Sequence, residues 1–297
     1  MPTVKSLHHR GIGLLILTTF VWGTSFPAQK YVVEYLPPAV ILTVRFMVAA
    51  IAFLPWLRQL NPRLLRDGTL LGSLYFAGCT LALMGLETTS ANRAAFIISL
   101  NVILVPLLSG TVLRRRLPLR IVIAAGLAMI GIGIMSWEGG GLTQGDLLTF
   151  ICALAVAAYI LLLEMITPRH PTLPLTAVQL WVMALLSLVW AVPQMVEQFE
   201  PMMHHFGILF YLGLAVTATP IWAQAQAQRW VAAHEAALLY TLEPVFATLL
   251  SFWFLGETLG VRGLVGAGVI LLATLLGQNV GKGLIRLVAK VRMGSAN

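Results

Sequence analysis

Charged side chains are scarce in this chain. Only 10% of its 297 residues are Asp, Glu, Lys or Arg, against about 25% in ordinary soluble domains. The 59% that are hydrophobic fall in runs near the length that crosses a bilayer as a helix, which excludes a soluble core and defines a polytopic membrane protein. Cysteine is almost missing. Cys79 and Cys152 each sit inside an apolar run, so neither a disulfide framework nor a zinc site is expected, and both read as small buried hydrophobes. There is no P-loop, so ATP does not act directly, and no G-x-S-x-G, H-E-x-x-H or paired intramembrane carboxylates of a membrane-embedded enzyme. No cofactor, metal or catalytic residue is expected. Every loop is short, which also disfavours a sensor or assembly factor that meets its partners through a large loop or tail.

What the chain does have is ten apolar spans, at about 11–32, 38–57, 69–87, 93–113, 119–137, 145–166, 174–196, 206–228, 234–255 and 261–281. Proline and glycine clusters such as Pro37-Pro38, Asn61-Pro62, Gly139-Gly140-Gly141 and Pro168 with Pro171 divide them. The first span is too long for a cleaved signal and lacks a small-residue cleavage site, so it reads as a retained helix. Of the 19 Lys and Arg residues, 15 lie in the tails and even-numbered loops, 3 (Lys30, Arg93, Arg262) in odd-numbered loops, and Arg45 within a span. The positive-inside rule then predicts that both termini are cytoplasmic. The net charge of +8 follows from those basic loops and does not imply nucleic acid. A bacterial inner membrane is the expected location.

One stretch organises the rest. His234 to Leu259 carries Glu243 and Pro244 near its middle. A carboxylate at that depth costs at least about 2.5 kcal/mol unless it faces a cavity or partner, and Pro244 removes a backbone donor and kinks the helix. The same stretch has a counterpart: Ser90–Arg120 aligns without gaps on Ala232–Arg262, placing Ala94-Ala95 on Ala236-Ala237, Leu100 on Leu242, Asn101 on Glu243, Ser109 on Ser251 and Arg120 on Arg262. Each copy is a five-helix repeat. Five is odd, so the second copy enters from the opposite side. Loop charge inverts with it, Arg114-Arg115-Arg116 becoming Gly256-Glu257-Thr258. The predicted units are 1–138 and 145–281, followed by a basic cytoplasmic tail, 282–297. Inverted repeats with a substrate site near the midplane are a build of secondary transporters.

The residues resemble the EamA branch of the drug/metabolite transporter superfamily. Trp22-Gly23-Thr24-Ser25-Phe26 is similar to that family's opening W-G-x-x-F motif. Arg45-Phe46 stands where the family commonly has an arginine. Leu242-Glu243-Pro244-Val245 and Leu255-Gly256-Glu257-Thr258-Leu259 resemble its repeat signature. The resemblance covers nearly the whole chain and implies an all-α membrane protein of about ten helices in two inverted five-helix repeats that moves small organic solutes. It fixes neither substrate nor direction. The first copy departs from the pattern. Asn101-Val102 replaces Glu243-Pro244, and Pro106 lies a turn later, so the kink in that half is expected there. Pro106 and Pro244 are the predicted hinges.

Candidate site residues follow from depth and repeat symmetry. Glu243 would carry a proton or pair with a substrate amine, or simply bond backbone freed by Pro244. Arg45 would bind a carboxylate in two-pronged fashion, snorkel, or tie helices together; its place in a helix usually peripheral in the resembled family favours a structural intramembrane charge. Trp222 and Gln226 share a face with Trp230 and line a cavity or mark the membrane interface. Trp22, Phe26, Tyr75, Tyr159 and Tyr240 offer aromatic walls for an amphipathic solute, or core packing. Asn101 and Ser99 are the repeat mates of Glu243 and Thr241. These readings converge on a secondary transporter that exports small metabolites such as amino acids by alternating access. An uptake permease and a non-transporting sensor or assembly protein are the alternatives. The expected partners are the small-molecule substrate, the lipid bilayer and, as an open choice of coupling ion, protons. The protein would act as a monomer or homodimer.

Overall fold

The computed structural model describes residues 4–86, 88–89, 91–114, 116–136, 141–255 and 260–277. The loop motif at Gly256–Leu259, Arg115 and the tail at 282–297 lie outside them. Among the described residues the chain is helical throughout: α1 (Val4–Val33), α2 (Pro38–Ala52), α3 (Pro62–Leu86), α4 (Ala91–Ile98), α5 (Asn101–Thr111), α6 (Leu119–Ser136), α7 (Gln144–Ile166), α8 (Thr172–Met195), α9 (Phe199–His204), α10 (Phe206–Gly213), α11 (Thr219–Ala227), α12 (Ala233–Tyr240), α13 (Glu243–Leu255) and α14 (Val261–Gly277). Segments α4–α5, α10–α11 and α12–α13 each make one bent pass, so ten spans stand where the apolar runs place them, with α9 a short extra helix in a connection. Four spans, 62–85, 144–169, 172–195 and 206–227, are by themselves long and apolar enough to cross a membrane, and shorter apolar helices surround them. Their outward faces are bare hydrocarbon: Val189 is 76% exposed and Leu272 66%. Water would penalise such a surface, and lipid does not.

The two halves obey the repeat down to single residues. A helix is interrupted after Ile98 and resumes at Asn101; its counterpart is interrupted after Tyr240 and resumes at Glu243. Those four residues pair in the gapless alignment. The second break has a local cause, since Pro244 has no N–H to offer the previous turn, and Thr241 and Leu242 tighten into bonds three residues back, to Leu238 and Leu239. The first break is at Ser99-Leu100, nearly two turns ahead of Pro106, which lies inside α5. Helix packing follows the same symmetry. The third span packs on the sixth (α3 on α7) as the first packs on the eighth (α1 on α11). The fourth meets the sixth (α5 on α7) as the first meets the ninth (α1 on α13). The second against the seventh (α2 on α8) and the fifth against the tenth (α6 on α14) lie across the pseudo-twofold axis. Most of the large contacts therefore join one repeat to the other.

Small residues permit the closest of these approaches. A Cβ on Gly72 would lie 2.7 Å from the Gln179 carbonyl oxygen and 3.1 Å from its Cα, and backbone on α8 cannot yield. Gly72→Val is expected to lower the melting temperature of the detergent-solubilised protein by several degrees, as overpacking of about 1–3 kcal/mol requires. An unchanged melting curve would show that α3 and α8 are not in register here.

Candidate functional site

The first repeat contributes α1, α2 and α3 to a polar cluster in the middle of the bundle, and the second contributes α7, α11, α12 and α13. Trp22, one turn before Phe26 on α1, packs its ring on Tyr240, centroids 5.4 Å apart. Its indole N–H donates to the Val216 carbonyl at 3.2 Å. That carbonyl is available because residue 220, its partner in a regular α-helix, is Pro220, which has no N–H. The chain around it, Leu214–Ala218, widens into a π-turn, a device often found at functional sites. Tyr75 on α3 meets Tyr159 on α7 edge to face at 4.9 Å, and the Tyr159 hydroxyl donates to Gln179 Oε1 at 3.1 Å.

Tyr75 is the hub. It lies within electrostatic range of Arg45, Glu243 and Tyr240, which come from three different helices. Glu243 stands at the first turn of α13, half-buried, where the helix dipole favours negative charge. Its carboxylate has no hydrogen bond among the described residues, and its oxygens are not among the atoms sealed from solvent without a partner. The Tyr75 hydroxyl is in the same position. Both side chains are half-buried. Deeper in, Tyr240 Oη and Gln224 Oε1 are sealed without a partner of good geometry, although the two side chains adjoin.

Arg45 is 6% exposed. Its Nε donates to Thr217 Oγ1 on the π-turn, and its Nη1 donates to Gln29 Oε1 on α1 at 3.3 Å. Both acceptors are fixed from behind: Thr217 donates its own proton to the Leu212 carbonyl at 2.8 Å, and Gln29 Nε2 donates to Ser25 Oγ at 2.8 Å. Gly213 lets α10 close on α2 here, since a Cβ would lie 2.7 Å from the Arg45 carbonyl oxygen.

Of the residues singled out from sequence, Trp22, Arg45, Tyr75, Tyr159, Tyr240 and Glu243 are thus brought together. Asn101 is buried at the opposite break, on α5, which packs on α7 and α12, and Ser99 lies in the break itself. Gln226 is engaged elsewhere: its Oε1 accepts from Thr172 at 2.7 Å, at the start of α8. Trp222 is a turn deeper on α11, and Pro244 follows Glu243 in the first turn of α13. The Phe26 side chain is outside the described residues. Gln29 and Thr217 were not anticipated; the visible signals were Gln29 a turn after Ser25 and Pro220 just past Thr217. A separate cavity of about 510 Å³, lined by Glu164, Arg169 and Arg229 among others, opens at the face of the even-numbered loops and includes none of the central residues.

A bundle of two five-helix repeats, with interrupted helices meeting at an interior polar cluster, is the architecture of a membrane transporter. The chain belongs to the EamA-like transporter family, whose profile matches residues 9–137 and 143–277. It is 31% identical over 267 residues to an uncharacterized transporter of Archaeoglobus fulgidus, a match covering 88% of this chain and 83% of that one. It is 24% identical over 259 residues to the uncharacterized transporter YdfC of Bacillus subtilis, covering 84% of each. A crystal structure of 17% sequence identity superposes with a TM-score of 0.76 over 92% of this chain and 98% of the other, which supports the fold alone. The protein is a multi-pass membrane transporter.

Proposed function

We propose that this transporter is a secondary carrier that exports small organic metabolites, such as amino acids, from the cytoplasm across a bacterial inner membrane, with both termini cytoplasmic. The observation that carries the reading is the convergence of Trp22, Tyr75, Tyr240 and Glu243 at the helix break, with the Glu243 carboxylate half-buried and without a hydrogen bond among the described residues. Aromatic walls suit the carbon skeleton of a metabolite, and a lone carboxylate suits an amine. The two repeats, 1–138 and 145–281, would rock about this cavity, with α12–α13 pivoting at Pro244. The first repeat would pivot at the Ser99-Leu100 break and at Pro106 within α5, where the missing N–H weakens the helix. Phe26, Ser99, Asn101, Tyr159, Trp222 and Gln226 complete the proposed lining or its approach from the cytoplasm. The distribution of Lys and Arg supports the orientation.

Counterflow in proteoliposomes tests the reading. Labelled amino acids and related metabolites are screened in mildly acidic and mildly alkaline buffer, and efflux from preloaded cells gives the direction. Saturable exchange with net efflux supports export. Net accumulation would make the protein an uptake permease, and a folded protein that exchanges nothing across the panel would overturn the proposal.

A further inference from the structure

Arg45 is a buried cation with no anion. Its two hydrogen-bond partners, Thr217 and Gln29, are neutral, and no carboxylate pairs with it among the described residues. Charges inside a membrane bundle ordinarily pair with one another or with backbone carbonyls; this guanidinium does neither. Carrying an unpaired ion into a low-dielectric interior costs several kcal/mol. The Phe46 ring, its centroid 5.9 Å from the guanidinium carbon, offsets only part of that cost, and a helix tie made by neutral hydrogen bonds would avoid it altogether.

The remaining donors have somewhere to point. Nη2 makes no bond among the described residues, yet it is not among the buried atoms sealed from solvent. The Gln29 and Thr217 contacts engage Nη1 and Nε and fix the plane of the guanidinium, leaving Nη2 to donate to an acceptor oxygen. A carboxylate oxygen makes the strongest such partner, since the bond is then charge-assisted at both ends. Tyr75 lies within electrostatic range of Arg45 and of Glu243 alike, so the cation and the acid are both neighbours of one side chain.

From this geometry we infer that Arg45 is the residue that recognises the carboxylate of the transported solute, while Glu243 faces its amine. The inference rests on the transport of small metabolites proposed above and narrows it to solutes in which a carboxylate and an amine lie a few bonds apart. The solute then supplies the missing counter-ion, and Gln29 and Thr217 act as positioning residues for the guanidinium.

The test compares an amino acid that the wild-type protein exchanges with its amide and with the amine left by removing the carboxylate. Wild type is expected to exchange the amino acid at least about tenfold better than either analogue, the loss of one charge-assisted contact. Arg45→Gln is expected to lose that preference, the ratio falling to near one. Arg45→Lys keeps the charge without the planar group that Gln29 and Thr217 position, and is expected to raise KM about tenfold with a smaller change in maximal rate. A structural role would depress all three solutes together and leave the ratio unchanged, and that result overturns the inference even if Arg45→Gln is poorly folded. So does wild-type exchange that ignores the carboxylate, which leaves the transport reading standing. A wild-type protein that exchanges no solute in the panel overturns both.

Discussion

Replacing Glu243 by Gln is expected to reduce exchange about 10- to 100-fold while leaving the fold intact. The size follows from losing a hydrogen bond to a charged group, about 1.5–3 kcal/mol, at about 1.4 kcal/mol per factor of ten. The preserved fold follows from the surroundings. The carboxylate has no hydrogen bond among the described residues, so Gln orphans no partner, and its volume is nearly the same. The helix N-terminus that favours a negative charge at this position accepts a neutral amide without strain. Transport should therefore fall with little change in melting temperature, and the response of exchange to pH should flatten if Glu243 also carries the coupling proton. Saturable exchange at the wild-type rate, with the wild-type pH response, would remove Glu243 from the mechanism. A large drop in stability would instead mean that the carboxylate holds the α12–α13 break together.

Most of the architecture could be read from the chain because bilayer physics acts locally. A span needs a certain number of apolar residues, and Pro, Gly and clustered basic residues mark its ends. The gapless match of Ser90–Arg120 to Ala232–Arg262 located the second helix break at Glu243 and set Asn101 opposite it, which is where the two half-helices begin. The same reasoning put the first-half kink at Pro106 because proline is the familiar breaker. The structure places a helix break earlier, at Ser99-Leu100, and Pro106 inside α5. Arg45 was visible as an anomaly, but its partners were not. Gln29 and Thr217 lie 16 and 172 residues away in sequence, and only the packing of α1, α2 and the π-turn selects them. The π-turn itself left a trace in Pro220, whose missing N–H frees the carbonyl that Trp22 uses. Trp222 and Gln226 share a helical face, as their spacing requires, yet a shared face does not say what lies opposite, and Gln226 meets Thr172.

Breaking the Asp67–His170 contact is expected to loosen the face that carries the even-numbered loops. His170 Nε2 lies 2.8 Å from Asp67 Oδ2, with side-chain exposures of 7% and 19%. The pair joins the start of α3, in the first repeat, to the α7–α8 connection in the second. Nearby, the His8 ring adds two weaker links of the same kind, 3.7 Å from Glu235 and 3.2 Å from the Trp230 carbonyl oxygen. Each crosses between repeats, so each must lengthen if the halves rock apart here. Asp67→Ala leaves a largely buried imidazole without its acceptor, a loss of about 1–3 kcal/mol. An element with two arrangements would shift its balance by roughly 5- to 150-fold for that energy. Cys79 supplies a native probe: it is half-buried and within electrostatic range of Tyr75 and Arg45, whereas Cys152 is buried. In Asp67→Ala, a membrane-impermeant maleimide added from this face should label Cys79 several-fold faster than in wild type. The double variant with His170→Ala should recover part of the lost stability, because it removes the orphaned ring as well. A lower melting temperature with unchanged Cys79 labelling would make the pair a structural clasp that takes no part in access to the central site.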